Sequence, residues 1–318
     1  VIDDGVVVVD GAGVVAYVGP AAGYPAVERR VSLPGSFVLP GIVDAHVHLA
    51  FGSPAELRSG GVVAVRDLGA PPAMARGWRD PDGSPVVAVA GPLLTGPGGY
   101  PSRSWGAAGF AAFVDSPERA RAIVGDLAAD GVDLVKVALE PSGGAVPSVE
   151  EVRAVVEAAH AHGLAVTAHA LTEAMVLRAL DGGVDELCHT PVEGLGAATV
   201  ERIAASGVPV VSTIQTLGRG ARRNAAALHE AGVRLLYGTD LGNAGTRPRA
   251  DERELARLAE TGLGNAGALR AATDGAAGAY GFRGVTGLIE VGRPARAVQV
   301  SGDPFVDLRV LRSPLATF

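Results

Sequence analysis

The chain has 318 residues, 48% of them hydrophobic but only 4% aromatic, with one cysteine and a formal charge of -7. That length suits one large α/β unit with a minor appendage, its core filled mainly by Val, Leu, Ile and Ala. The charge excludes long-range attraction to phosphate backbones. The single Cys188 excludes a disulfide framework or a multi-thiolate metal site, and Gly, Pro and Asp break every apolar run short of the roughly 18 residues a membrane helix needs.

In chain order, Val6 to Val9 and Val14 to Val18 read as two strands joined by the turn residues Asp10, Gly11 and Gly13. Eight short β-type runs follow, at Phe37 to Val43, Gly61 to Arg66, Val86 to Ala90, Asp133 to Ala138, Leu164 to Ala168, Val184 to Leu187, Val208 to Thr213 and Arg234 to Gly238. Most intervals between them carry helical patterning. Ser148 and Glu151 stand in capping-box spacing ahead of Val152, Val155, Val156 and Ala159, and Gly163 ends that helix. Ser116 precedes Pro117 at another helix start, and Asp251 precedes Glu254 by three at a third. Arg219, Arg222 and Arg223 read as a solvated helix face.

Near the far end, Gly287 to Val291 and Ala295 to Val300 are apolar runs punctuated by Gly292, Pro294 and Gly302. An isolated hairpin is marginal in water, so the two chain ends are expected to pair into a small β-sandwich subdomain of residues 1–36 and 284–318. Regular alternation of strand and helix implies a parallel sheet. Eight such units favour closure into a (β/α)8 TIM barrel over residues 37–283, with an open doubly wound sheet as the alternative.

The strongest local signal is Gly41-Ile42-Val43-Asp44-Ala45-His46-Val47-His48 at the end of the first barrel strand. Residues two apart on a strand share a face, so His46 and His48 can reach one ion at the rim where barrel active sites form. Lys136 lies within Leu134-Val135-Lys136-Val137-Ala138, where a buried ammonium needs compensation. An internal ion pair would supply it. So would reaction of the deprotonated amine with carbon dioxide to give a carbamate able to bridge two cations.

His169, His189 and Asp240 each fall at a C-terminal strand end, so six metal-competent side chains converge on one rim. His160, His162 and His229 belong to helices and are expected to be structural. Cys188 is read as a buried packing residue that faces away from its neighbour His189. Gly96-Pro97-Gly98-Gly99 lacks the Lys and Ser or Thr of a phosphate loop and reads as a flexible active-site loop.

These segments resemble the amidohydrolase superfamily, in particular its imidazolonepropionase-like and prolidase-like branch with a carboxylated lysine. Besides the opening motif, the likeness is carried in order by Val65-Arg66-Asp67-Leu68-Gly69, Asp133-Leu134-Val135-Lys136-Val137, Val166-Thr167-Ala168-His169-Ala170, Gly238-Thr239-Asp240 and the terminal Gly287-Leu288-Ile289-Glu290-Val291-Gly292-Arg293-Pro294-Ala295. It spans nearly the whole chain.

The resemblance implies two divalent ions, commonly zinc. His46, His48 and Asp240 would hold the more buried ion, His169 and His189 the more exposed one, and carboxylated Lys136 would bridge them. Tyr100 stands where relatives often carry histidine, Arg296 where aspartate is common, and Asp274-Gly275-Ala276 replaces a common Asn-Pro-Ala. The first departure bears on substrate choice and the others on packing.

Two cations about 3.5 to 4 Å apart can share a water and supply hydroxide at neutral pH. Asp240 would then take the proton from the attacking oxygen and deliver it to the departing nitrogen. The expected reaction is hydrolysis of an amide C–N bond, in a dipeptide, an N-acyl amino acid or a cyclic amide. Lactone or phosphotriester hydrolysis and deamination are alternatives on the same scaffold, and an inactive small-molecule-binding scaffold is an alternative of another class. Tyr100, Arg103, Trp105, Gln215, Asn243 and Arg247 are the expected pocket residues, with Arg103 or Arg247 placed to grip a substrate carboxylate. The expected partner is a small molecule, without nucleic acid or membrane, in a cytoplasmic setting. Assembly into a homo-oligomer stays open, as does a removed targeting peptide, since the chain begins at Val1.

Overall fold

In the computed structural model, the residues described are 2–79 and 85–318. Strands β1 (Gly5–Val9) and β2 (Val15–Pro20) form an antiparallel hairpin. Its turn is held by Asp10, which accepts hydrogen bonds from the backbone of Ala12 and Val14. The expected single strand from Phe37 to Val43 is two strands, β3 (Phe37–Pro40) and β4 (Ile42–Val47), in different sheets. Gly41 makes the change of sheet, and a side chain there would overlap Val63.

The barrel continues through β5 (Val62–Asp67), β6 (Val86–Val89), β7 (Leu93–Thr95), β9 (Leu134–Leu139), β10 (Ala165–Ala170), β11 (Glu186–Leu187), β12 (Val210–Val211) and β13 (Leu235–Leu236), while β8 (Ala111–Phe113) flanks β7 outside it. All neighbouring pairs along this course are parallel. β6 and β7 are two halves of one barrel strand, interrupted where Gly91 takes a φ of 72°.

Closure comes from backbone bonds beyond the named strands. Ala45 donates to the Tyr237 carbonyl at 3.1 Å, Asp240 to that of His46 at 2.8 Å, and His48 to that of Leu241 at 2.8 Å. The first strand thus meets the eighth, and the architecture is a (β/α)8 barrel.

Around it lie α1 (Pro54–Ser59), α2 (Pro72–Arg76), α3 (Pro117–Ala129), α4 (Val149–Ala161), α5 (Glu173–Gly182), α6 (Ala197–Ser206), α7 (Ile214–Leu217), α8 (Arg219–Glu230), α9 (Glu252–Leu258), α10 (Gly264–Ala272) and α11 (Asp274–Ala279). Ser148 and Glu151 form the expected capping box on α4, and Ser116 caps α3. At α9 the pattern resolves differently. Asp251 caps through the Arg253 N–H, whereas the Glu254 carboxylate turns away to accept from Ile214 and Gln215 at 2.9 and 2.6 Å. No described helix is long and apolar enough to cross a membrane.

The chain ends supply two small antiparallel sheets. β14 (Ala297–Val300) lies between β3 and β15 (Ala316–Thr317), and the hairpin reaches the C-terminal region through the bridge of Val14 with Pro294. The run Gly287 to Val291 forms no strand.

Inside the barrel, Arg66 of β5 crosses to Glu186 of β11 through paired bonds of 2.7 and 3.0 Å, with Thr167 donating to the same carboxylate at 2.6 Å. Tyr280, just past α11, lays its ring 3.9 Å from the guanidinium and closes the stack. All of these polar groups lie in the interior, so removing one charge strands the other. Arg66→Met is therefore expected to lose about 3–5 kcal/mol of stability. Urea unfolding followed by circular dichroism checks this, and the Arg66→Met/Glu186→Leu pair is expected to recover most of the loss.

Candidate metal centre

Two buried carboxylates shape the rim before any functional group is counted. Asp44 accepts from the backbone of His46 at 3.1 Å and of Thr239 at 3.0 Å, and from the Thr239 hydroxyl at 2.6 Å. It thereby ties the strand that carries His46 to the segment that carries Asp240. Asp67 accepts from Leu49 at 2.7 Å and Gly69 at 3.1 Å, fixing the turn after His48. Burial pushes Asp44 up to about 7 and Asp67 up to about 6.

A side chain at Gly238 would overlap Val211 and press on His46, so glycine lets the two strands approach. Asp240 and Thr213 hold positive φ angles of 55° and 44° at the rim, conformations sparsely populated for residues other than glycine.

The structure brings the six expected side chains together. His46 donates from Nδ1 to the Cys188 carbonyl at 2.8 Å, which leaves Nε2 with its lone pair facing inward. Lys136 Nζ lies 3.2 Å from that Nε2. Asp240 Oδ1 is 3.3 Å from His46 Nε2 and 3.5 Å from His48 Nε2. The rings of His46 and His189 have centroids 4.5 Å apart, and those of His169 and His189 4.7 Å. His189 Nδ1 meets the Thr213 hydroxyl at 3.0 Å.

The electrostatics favour cations. Burial, then neighbouring Lys136 and the other imidazoles, holds His46 and His48 well below the ordinary histidine range. Burial also lowers His189 strongly and His169 to a lesser degree. The four imidazoles are therefore neutral lone-pair donors at neutral pH. Burial raises Asp240 to about 6, with Lys136 opposing the shift. Lys136 itself is 1% exposed, and among the described residues no carboxylate lies within ion-pair distance of it. The internal ion pair considered as its compensation is absent there.

The site contains groups that the sequence did not single out. Glu140, one residue past β9, meets His169 Nε2 at 3.2 Å, and that contact holds its carboxyl down at about 2. Its signal was alternation, because Lys136, Ala138 and Glu140 share a strand face. Cys188 requires a correction. It is buried, but its thiol does not face away, for Sγ lies within 4.8 Å of ligand nitrogens of both His46 and His189. β11 ends at Leu187, so strict alternation no longer governs the next two residues. His160 pairs with Asp185 at 2.9 Å, while His162 caps α4 and His229 lies in the last turn of α8, all in helical settings.

Of the expected pocket residues, Tyr100 lies 5.2 Å from His169 and Trp105 5.0 Å from His48, ring centre to ring centre. The Asn243 amide donates to the Asp240 carbonyl at 3.0 Å. Gln215 is held through its backbone by Glu254. Arg247 faces Glu252 at 3.5 Å, and Arg103 is exposed beside Gly98. The glycine-rich loop is packed rather than open. Gly99 donates to the Gly96 carbonyl at 2.8 Å, and side chains at Gly99 and Gly143 would strike Ala145 and Tyr100.

A (β/α)8 barrel whose C-terminal rim gathers four neutral imidazoles, a lysine and an aspartate defines a metal-dependent hydrolase scaffold. The chain belongs to the amidohydrolase family, whose model matches residues 37–318. An uncharacterised protein of Mycobacterium bovis is 29% identical over 271 residues, covering 72% of this chain and 70% of that protein. An imidazolonepropionase of Salinispora tropica is 54% identical over 39 residues, which span 12% of this chain and 10% of the enzyme. Among solved structures, a Bifidobacterium longum protein assigned as a prolidase superposes with a TM-score of 0.83 at 26% identity, covering 98% of this chain and 87% of its own.

Glu254 offers a test of how the rim is braced. Burial raises its carboxyl from 4.5 to about 7. The folded state therefore binds a proton more tightly than the unfolded state, and the contribution of this group to stability falls as pH rises from about 4.5 through about 7. Glu254→Gln is expected to flatten that part of the profile, read as urea midpoints against pH. An unchanged slope would show that the carboxyl is not buried as described.

Proposed function

We propose that this protein hydrolyses an amide C–N bond at two divalent cations, zinc the expected occupant, with Lys136 carboxylated as their bridge. The observation that carries the reading is the Lys136 amine, enclosed and 3.2 Å from the inward lone pair of His46. A cationic amine there faces neutral imidazoles, with no carboxylate among the described residues within ion-pair distance and Asp240 acting on it only from farther off. Loss of one proton frees the amine, attack of its lone pair on carbon dioxide forms an Nζ–C bond with loss of a second proton, and the carbamate so formed replaces that positive charge with an anion suited to two cations.

The donor chemistry fits the ions. His46, His48 and Asp240 offer ligand atoms within 4.8 Å of one another, and the buried His48 Nδ1 has no hydrogen-bond partner among the described residues. His46, His48 and Asp240 would hold the inner ion, and His169 and His189 the outer one. Bound there, the ions would lower the pKa of a shared water and polarise the scissile carbonyl.

The remaining work falls to the chain. Asp240 Oδ1 lies between His46 and His48, where it can receive the proton of the attacking water and pass it to the leaving nitrogen. The Cys188 carbonyl and the Thr213 hydroxyl orient His46 and His189, and Glu140 holds His169 by Nε2 so that Nδ1 is left for the centre. Dipeptides, N-acyl amino acids and cyclic amides are the substrate classes in view, the first supported by the likeness to a protein assigned as a prolidase.

Asp240→Asn is expected to retain most of the metal while lowering kcat by about 100-fold to 10,000-fold, as loss of a general base does. Metal analysis beside steady-state kinetics checks it, and wild-type turnover in that variant would remove the role. Apoprotein given zinc is also expected to regain activity only when bicarbonate is supplied, whereas recovery in rigorously degassed buffer would argue against the carbamate.

A further inference from the structure

The chain is poor in aromatic residues, with two Trp, five Tyr and seven Phe, and its core is aliphatic. Four of these rings nevertheless gather beside the candidate centre. Trp105 lies 5.8 Å from Phe51, 5.8 Å from Phe110 and 6.1 Å from Tyr100, and Phe51 stacks on Phe110 at 6.0 Å. The cluster touches the site at both ends, through Trp105 on His48 and Tyr100 on His169.

This wall has a consistent chemistry. The Trp105 indole N–H is already committed to the Tyr100 oxygen at 3.1 Å, so the pair presents ring surface in place of a free indole donor. Phe110 is buried, whereas Phe51 keeps 49% of its surface exposed directly after the turn that carries His48. Trp105 and Phe110 cover one side of the Phe51 ring, and the rest of its apolar surface stays in water.

The wall is also preformed. Its loop is braced by bonds from Ser102 to Gly99 at 2.6 Å and from Gly106 to Pro101 at 3.1 Å. Among the cationic candidates, Arg247 faces Glu252, while the anionic Glu140 stands at the His169 end.

We propose that Phe51, Tyr100, Trp105 and Phe110 form a subsite for an aromatic group, making an aryl-bearing amide the preferred substrate. The inference rests on the amide-hydrolase reading for its reaction but not for its binding step, so the two are tested apart. The chain has only two tryptophans, and Trp78→Phe leaves Trp105 as the sole indole fluorophore. In the metal-loaded Trp78→Phe protein, N-acetyl-phenylalanine amide is expected to change Trp105 emission saturably and to bind at least about tenfold more tightly than N-acetyl-alanine amide, as aromatic packing plus added apolar burial provides. Phe51→Ala is expected to erase most of that difference and to raise KM for the aryl amide about tenfold, with the alkyl amide little affected. The same emission change should appear in the wild type over the Trp78 background.

Equal binding of the two amides, or emission unmoved by the aryl amide up to its solubility limit, overturns the subsite even if both amides are hydrolysed. Selective aryl binding without amide turnover upholds the subsite and overturns the reaction instead.

Discussion

Everything at the rim is organised around one difficulty, a lysine amine sealed in the barrel and pressed against a histidine lone pair 3.2 Å away. Four imidazoles depressed by burial surround it, so the neighbourhood is rich in lone pairs for positive ions, while the amine has an imidazole acceptor in His46 but no carboxylate among the described residues within ion-pair distance. Burying a charge without a partner is among the most unfavourable events in a protein interior. The proposed reading, cations as the native contents and the lysine carried as an anion, relieves that cost.

Holding such a site in place demands rigidity from the layers around it. Asp44 satisfies backbone and hydroxyl donors between the first and eighth strands, Asp67 backbone donors after the first and second, and the Arg66–Glu186 pair spans the interior between the second and sixth. Each is a buried ionisable group engaged in hydrogen bonds, and each fixes a different seam of the barrel. The positive φ angles at Thr213 and Asp240 fit this picture, since strained residues persist only where their surroundings over-determine them.

In the proposed reading substrate choice falls to another layer, the loops after the strands. The turn after His48 and the segment from Gly96 to Phe110 supply the aromatic wall, and the loop after β9 supplies Glu140. The scaffold can therefore keep its ligand geometry while its specificity changes. Such a division is compatible with the shared fold at 26% identity between this chain and a protein assigned as a prolidase, since a fold alone does not set a substrate.

Periodicity, turn residues and caps sufficed to mark the barrel strands and several helices, and the positions of His46, His48, Lys136, His169, His189 and Asp240 at strand ends were readable because a strand's face follows from counting by two. That counting failed where a strand stops. At Gly41 the chain changes sheets, and beyond Leu187 both Cys188 and His189 turn toward the interior. It also could not show that Glu254 brackets α7 rather than closing its own capping box, or that Phe51 and Phe110 join Tyr100 and Trp105. Local sequence determines backbone conformation and the chemistry on offer. Which side chains meet is decided by strand closure and loop packing, which bring together residues far apart in the chain through contacts that no local pattern encodes.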